Sequence, residues 1–385
     1  MAREEIAAQA QPAGMRNPSI RAVRQYAIRL VADLGPLPGA APSFRGRIGG
    51  NTVLEIELDE GLVGLAPGVE PECLALLRDL LTGRPLFPLA AHVRALEARH
   101  GGASGKNSAS AEIALWDIVG HLLGQPLYRL WGGENGRIEG YASTIGRGAS
   151  IEERTELAVR IHEEGWRSIK LRPHWETVED DIRLVRAVRE ATSETFSILT
   201  DANQARGRNL SGISWDLQRA LRTAHAFRDL GVGWLEEPLA RTDHAGLAAL
   251  RREAGMPIAG GENNAALADF RDYGVHACLD IWQPEVMLTG PARFLRIAAL
   301  ADAFEVGIVP HEGYQSLGTI CQMHLSAALN APLVEVLHNP PAGDFRHYFT
   351  PYDGAPLIGA DGIVQLNERP GLGVTLDRSL VEAEY

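Results

Sequence analysis

The sequence predicts an α/β fold built on a parallel-stranded barrel, and three observations point to it. Residues 196–263 hold three short strand-like runs, FSILTDANQ, VGWLEEPL and PIAGGENN, each a few apolar residues ending in a carboxylate: Asp201, Glu236 (with Glu237 beside it) and Glu262. The text between them, WDLQRALRTAHAFRDLG and then LAALRREAG, reads as amphipathic helix. The same rhythm extends from about residue 138 to 337 through eight runs: GYASTIG, SIKLR, FSILTDAN, VGWLEEP, PIAGGEN, CLDIWQPEV, VGIVPHEG and LVEVL. Strand, helix, strand at this spacing marks parallel βαβ units. Parallel strands all end on one face, and in a (β/α)8 barrel that face carries the catalytic residues.

Taken in order, the chain opens with residues 1–17, expected to be a mobile, mostly polar lead. MAREEIAAQAQPAGMRNP has no apolar core of the kind a secretory signal needs. Residues 18–135 read as a small α+β domain. Residues 19–30 and 50–58 alternate like strands. Between them, residues 33–50 are dense in Gly and Pro, as an irregular lid loop is. Arg45 and Arg47 on this stretch are candidates to meet an anionic substrate, or are simply solvated. Residues 71–81 and 88–100 read as helices. In the segment SGKNSASAEIALWDIVGHLLGQPLYRLWGG, Ser108 or Asn107 is the expected cap. Ala109, Ile113, Trp116, Gly120 and Leu123 then recur at helical spacing, which marks a buried helix rather than a site, with His121 packed or at the surface. Residues 136–337 form the barrel. Residues 338–385, rich in Pro and Gly, are expected to return to the N-terminal domain.

Composition narrows the partners. A net charge of −12 argues against nucleic acid or an anionic membrane. No apolar run approaches the 18 or so residues of a spanning helix. The three cysteines, Cys73, Cys278 and Cys321, are odd in number and far apart, which fits neither a disulfide framework nor a zinc knuckle and suits a reducing cytoplasm. The expected partner is a small-molecule carboxylate, and the expected assembly a homo-oligomer.

The chemistry gathers at the strand ends. Asp201, Glu236 and Glu262, spaced by 35 and 26 residues, would converge on one face and repel one another unless a cation sits between them. Hard oxygen ligands suit Mg2+. Taken singly, each acid reads as readily as a helix cap or a solvated loop residue; three at three successive strand ends do not. Lys170 and Arg172 end SIKLR two residues apart and so face the same side, either to bind substrate or only to balance the acids. His174 and Trp175 follow and are expected to line the pocket, as is Asn203 in DANQ. Glu285 stands 23 residues after Glu262, and His311 another 26 on, at the ends of the sixth and seventh runs. A carboxylate beside an imidazole fixes its tautomer and raises its basicity. Glu335 ends the eighth run.

These motifs in this order, AEIALWDIVGHLLGQPLYRLWGG, the K-x-R strand end, DANQ, WLEEPL, GGEN, QPE and PHEG, closely resemble the enolase superfamily, mandelate racemase subgroup, over roughly residues 18–370. The resemblance implies a modified (β/α)7β TIM-type barrel with an α+β capping domain drawn from both termini. It matches Asp201, Glu236 and Glu262 to the Mg2+ ligands and Glu237 to a neighbour that is not usually a ligand. It matches Lys170 to the first lysine of the second-strand motif, His311 to the general base and Glu335 to a further site acid. Two positions depart from the pattern. Glu285 stands where the dyad acid is usually Asp, and Arg172 replaces a second lysine. The implied chemistry is removal of the proton α to a carboxylate. The expected activity is a sugar acid dehydratase, with a racemase, epimerase or cycloisomerase of an α-hydroxy acid as the alternative and a non-catalytic binding protein as the remote one. Substrate selectivity is expected in residues 33–50 and 203–215.

Overall fold

The first strand of the described chain, nine residues long, belongs to a sheet assembled from both termini. The computed structural model describes residues 17–37, 45–99, 105–146, 148–209, 211–313 and 316–385. Residues 1–16 of the polar lead, residues 38–44 of the expected lid and Leu210 of the 203–215 stretch lie outside them. Strand β1 (Ile20–Ile28) is followed by β2 (Ala32–Pro36), β3 (Arg45–Ile48), β4 (Thr52–Leu58) and β5 (Val63–Pro67). Strands β2 and β3 pair with each other as an antiparallel hairpin, so the stretch read as an irregular loop carries paired backbone at both ends. Helices α1 (Pro71–Leu81), α2 (Leu89–Arg99), α3 (Lys106–Leu123) and the single turn α4 (Leu127–Leu130) complete the domain.

The start of α3 corrects the expected cap. The helix begins at Lys106 with Gly105 at the cap position and no side-chain cap. Asn107 is instead drawn to the start of α1, where it accepts the Glu70 N–H at 3.1 Å and donates to the Glu70 carboxylate at 3.1 Å. Ser108 donates to the Gly105 carbonyl at 3.0 Å. A tertiary partner outcompetes the local capping role of the Asn side chain. The other end stops at Gly124, whose φ of +62° a non-glycine residue adopts only with strain.

The barrel strands are β6 (Arg137–Ser143), β7 (Ser168–Leu171), β8 (Ser197–Asp201), β9 (Val232–Glu236), β10 (Ile258–Gly260), β11 (Ile281–Trp282), β12 (Gly307–Ile308) and β13 (Val334–Leu337). Each pairs in parallel with the next from β6 to β12, and β13 returns to pair with β6. Between them run α5 (Ile151–Glu163), α6 (Val178–Ala191), α7 (Leu217–Asp229), α8 (His244–Ala254), α9 (Leu267–Val275), the short α10 (Val286–Thr289) with α11 (Pro291–Ala303), and α12 (Leu317–Ala328). After β13 comes a 3-10 turn, Phe345–Phe349, where an eighth barrel helix would stand. The fold is therefore a (β/α)7β barrel with a cap.

Strand alternation sorts the core. Leu199, Trp234, Ala259 and Val309 meet Tyr141 inside the barrel, while Ile198, Leu235 and Ile258 pack outward beneath the helices. Among the described residues five α-helices start on side-chain caps: Ser150 with Glu153 in a reciprocal box, Thr177, Asp216, Asp243 and, on the short α10, Glu285. Those N-termini lie on the face where the strands end, so their dipoles lend positive potential to the acids gathered there.

After β13 the chain forms β14 (Tyr352–Asp353), β15 (Leu357–Ile358), β16 (Ile363–Gln365), β17 (Thr375–Leu376) and β18 (Val381–Glu384). Strand β16 pairs antiparallel with β6, and β18 joins the cap sheet beside β1. The cap meets the barrel where the strands end. A Cβ at Gly46 would lie 1.7 Å from the Ala342 carbonyl oxygen, so only glycine permits that approach. Asn51 Nδ2 donates to Ser316 Oγ at 3.3 Å. All three cysteines are buried and free, and among the described residues no helix is long and apolar enough to cross a membrane.

Candidate active site

Asp201 and Glu236 are the last residues of β8 and β9 and stand directly across from each other in the ladder. Glu262 lies two residues past the end of β10. One ligand oxygen from each of the three falls within 4.8 Å of the other two. The backbone turns left-handed just beyond two of them, at Asn203 (φ +50°) and Glu237 (φ +43°). Strained residues of this kind persist where the surroundings hold them. Asn203 uses the turn to donate its N–H to Asp201 Oδ1 at 2.7 Å and its side-chain amide to Oδ2 at 2.8 Å.

Each acid of the triad meets its own cation. Lys170 Nζ donates to Glu236 Oε2 at 2.9 Å and lies 2.8 Å from Glu335 Oε1, with its side chain fully buried. Arg172 donates to Asp201 Oδ2, to the Thr144 carbonyl at 3.1 Å and to Ser143 Oγ at 3.1 Å. His311 Nε2 lies 2.9 Å from Glu262 Oε2. Glu236 Oε1 is buried without a hydrogen-bond partner. Buried acceptors are ordinarily satisfied. An all-carboxylate set that includes an unpaired buried oxygen therefore fits a hard divalent ion such as Mg2+.

On the opposite nitrogen, His311 Nδ1 is 2.9 Å from Glu285 Oε2. Glu285 is held in turn by the Gly313 N–H at 3.2 Å on Oε2 and the Met287 N–H at 3.0 Å on Oε1. The side chain is longer than an aspartate by one methylene, and it uses that length to cap α10 with one oxygen and orient the imidazole with the other. Glu335 Oε2 accepts the Glu312 N–H at 3.1 Å.

Proton affinities follow from these contacts. Burial works against a charge on His311, yet Glu262 and Glu335 outweigh it and hold the imidazole well above its ordinary value. Burial alone would raise Glu262, but the His311 charge pulls it below the usual carboxylate range. Glu335 is likewise raised by burial and brought down to about 2, chiefly by Lys170. Glu237 runs the other way: burial and then the Glu262 charge push its carboxyl well up, against the Asn263 amide that donates to it at 3.0 Å.

The remaining candidates are less central. Arg45 forms a bidentate ion pair with Asp33 across the β2–β3 hairpin, at 2.9–3.1 Å, and Arg47 is exposed beside it, so neither is brought to the acids. Trp175 turns to Arg154, whose guanidinium stacks 4.2 Å from its ring, and His174 is buried in the same loop. Ser143, Thr144, Arg154 and Asn263 are the residues that sequence reasoning passed over. Asn263 adjoins Glu262 in GGEN, and Ser143 and Thr144 sit at the end of the first barrel strand, so counting strand ends finds them; Arg154, on α5, carries no such mark. A cavity of about 300 Å3 opens beside Arg172, between Thr144, Arg154 and Asn339.

Residues 153–380 match the family described as enolase C-terminal domain-like. The chain is 31% identical to a 3,6-anhydro-α-L-galactonate cycloisomerase of Streptomyces coelicolor over 73% of its own length and 72% of that protein. It is 29% identical to an arabinonate dehydratase of Saccharolobus solfataricus, over 71% and 70%. Among solved structures, an L-talarate dehydratase from Polaromonas sp. JS666, complexed with Mg and L-glucarate, superposes with a TM-score of 0.76 at 26% identity and covers 96% of this chain and 98% of that one.

Proposed function

The chain belongs to the enolase superfamily, in its mandelate racemase-like branch, and from that premise we propose that it is a Mg2+-dependent sugar acid dehydratase. Asp201, Glu236 and Glu262 hold the ion. When bound, it supplies positive charge to a substrate carboxylate as proton removal places a second negative charge on those oxygens, which is stabilisation specific to the transition state. The protein's own groups do the rest. Lys170, fully buried between Glu236 and Glu335, adds a fixed ammonium near the developing charge. His311 is the base that takes the α-proton: its Nε2 faces Glu262 in the metal-free protein and would become available once Glu262 is drawn to the ion, while Glu285 on Nδ1 holds the ring's orientation. The imidazolium then assists departure of the β-hydroxyl as water, and the enol left behind tautomerises to a 2-keto-3-deoxy acid.

One observation favours elimination over racemisation. Inverting the α-carbon needs a second base on the opposite face; the family pattern puts that base at the second lysine of the strand motif, where this chain has Arg172, bonded to Asp201, and gives Lys170 to the carboxylate. A guanidinium does not accept a proton at ordinary pH. The similarity to an arabinonate dehydratase supports the same reading. The cycloisomerase relative favours a second one, in which the same first step is followed by ring opening or closure without loss of water. The test is to incubate the enzyme with a panel of acid sugars in D2O and follow products by NMR. A 2-keto-3-deoxy acid formed by wild type and lost in His311→Asn is the expected result. Deuterium at C2 of an inverted substrate, or an isomer of unchanged mass, would replace the dehydratase reading.

A further inference from the structure

In the structure, Arg172 occupies the carboxylate that the metal would need. Of the three cations set against the triad, Arg172 alone carries a planar guanidinium, which holds a permanent charge. Arg172 is also anchored on both sides of its contact with Asp201. Its Nε donates to the Thr144 carbonyl and its Nη2 to Ser143 Oγ, both at 3.1 Å, Nη1 reaches Asn203 Oδ1 at 3.3 Å, and its own carbonyl accepts from Arg154 at 2.7 Å. The side chain is 10% exposed and the Asp201 side chain is fully buried, so solvent screens the pair little.

We propose that Arg172 is a resident counter-cation of Asp201 that sets the affinity of the metal site. It holds the Asp201 carboxylate in place in the metal-free protein, and a divalent ion binds in competition with it. This rests on the reading of Asp201, Glu236 and Glu262 as metal ligands. A neutral residue of similar reach removes both the competitor and the repulsion between guanidinium and ion. Mg2+ should then bind more tightly, while the metal-free protein, left with a buried carboxylate that keeps only its two hydrogen bonds from Asn203, melts lower.

The experiment is calorimetric titration of MgCl2 into the full-length, chelator-stripped protein, with thermal melts in the presence and absence of Mg2+ and no substrate. Arg172→Met should bind Mg2+ at least about 10-fold more tightly than wild type, since a like charge at this depth interacts strongly. Its metal-free melt should be lower and its Mg2+-induced rise larger. Arg172→Lys keeps the charge and should stay much closer to wild type. If Arg172→Met does not melt cooperatively, Arg172→Gln is read in the same way. Neutral variants that bind no more tightly than wild type, or a lysine variant that shifts as far as they do, would overturn the proposal. Glu236→Gln separates the two levels. If it loses the binding that wild type shows while the Arg172 variants match wild type, only the role of Arg172 fails. If wild type itself gives no saturable Mg2+ heat, the metal-ligand reading fails and this inference with it.

Discussion

A carboxylate serves as a ligand only while charged, and burial opposes that charge. At Asp201, Glu236 and Glu262 the opposition is met by one cation each, Arg172, Lys170 and His311. Removing the charge of one acid without changing its volume is therefore the sharpest single-residue probe. Glu236→Gln should abolish Mg2+-dependent turnover and saturable Mg2+ binding while leaving a cooperative melt. A variant that stays fully active after chelator treatment would sink the assignment of Glu236. Glu285 touches His311 and two backbone N–H groups but none of the three triad acids. Glu285→Gln should lower turnover by roughly 10²-fold or more, within the usual span of acid–base contributions, and shift the pH–rate profile. Its Mg2+ affinity should barely move. A loss of affinity matching that of Glu236→Gln would mean the two acids' roles are wrongly divided.

At the scale of elements, helix α12 carries a buried group whose titration bears on stability. His324 accepts the Tyr128 N–H on Nδ1 at 3.1 Å and approaches the Leu372 carbonyl with Nε2 at 3.2 Å, tying α12 to α4 and to the C-terminal return. Burial brings its pKa down to about 4 from the ordinary 6.5. A folded-state value below the unfolded one means that the stabilisation is complete above about pH 6.5 and is lost as pH falls through about 4. The interval corresponds to about 3 kcal/mol at most. Two buried acids on α3, Glu112 and Asp117, are both raised to about 7 by burial. They act in the opposite sense, losing stabilisation as pH rises from the ordinary carboxylate range toward 7. The readout is therefore a difference. The stability gap between wild type and His324→Gln, measured by urea denaturation, should shrink as pH is lowered from 6.5 to 4. A gap independent of pH would show that the folded protein tolerates the imidazolium.

At the scale of the whole molecule, the site is made by the barrel and overhung by the cap. The hairpin β2–β3 meets the chain just after β13 at a close approach, Gly46 on Ala342, with Leu37 against Gly343 beside it, while Asn51 reaches Ser316 downstream of His311. None of these residues touches the acid triad. Gly46→Ala should push the hairpin away from the barrel mouth and raise KM for the acid-sugar substrate, with Mg2+ affinity retained. Steady-state kinetics beside a Mg2+ titration checks this, and an unchanged KM would remove the cap hairpin from substrate binding.

What the sequence determined by itself is whatever depends on near neighbours along the chain. Short apolar runs ending in acids are local patterns, and so were the eight strands and the positions of Asp201, Glu236, Glu262, Glu285 and His311 near their ends. Helix periodicity is equally local, which is why α1 and α2 fall within a residue of where the pattern puts them. Pairing between distant residues is set by strand register and packing, and only the tertiary structure decided it. Neither spacing nor composition says that Lys170 bridges Glu236 and Glu335 while Arg172, two residues on, takes Asp201. The same holds for Asn107, which leaves its expected cap for Glu70, and for Arg45, whose partner Asp33 lies across a hairpin that reads as loop. It holds too for the turn that replaces an eighth barrel helix, where the chain leaves the barrel to finish as a strand of the cap sheet. A local pattern can place a charge at the end of a strand; which opposite charge neutralises it depends on the three-dimensional packing of strands far apart in the chain.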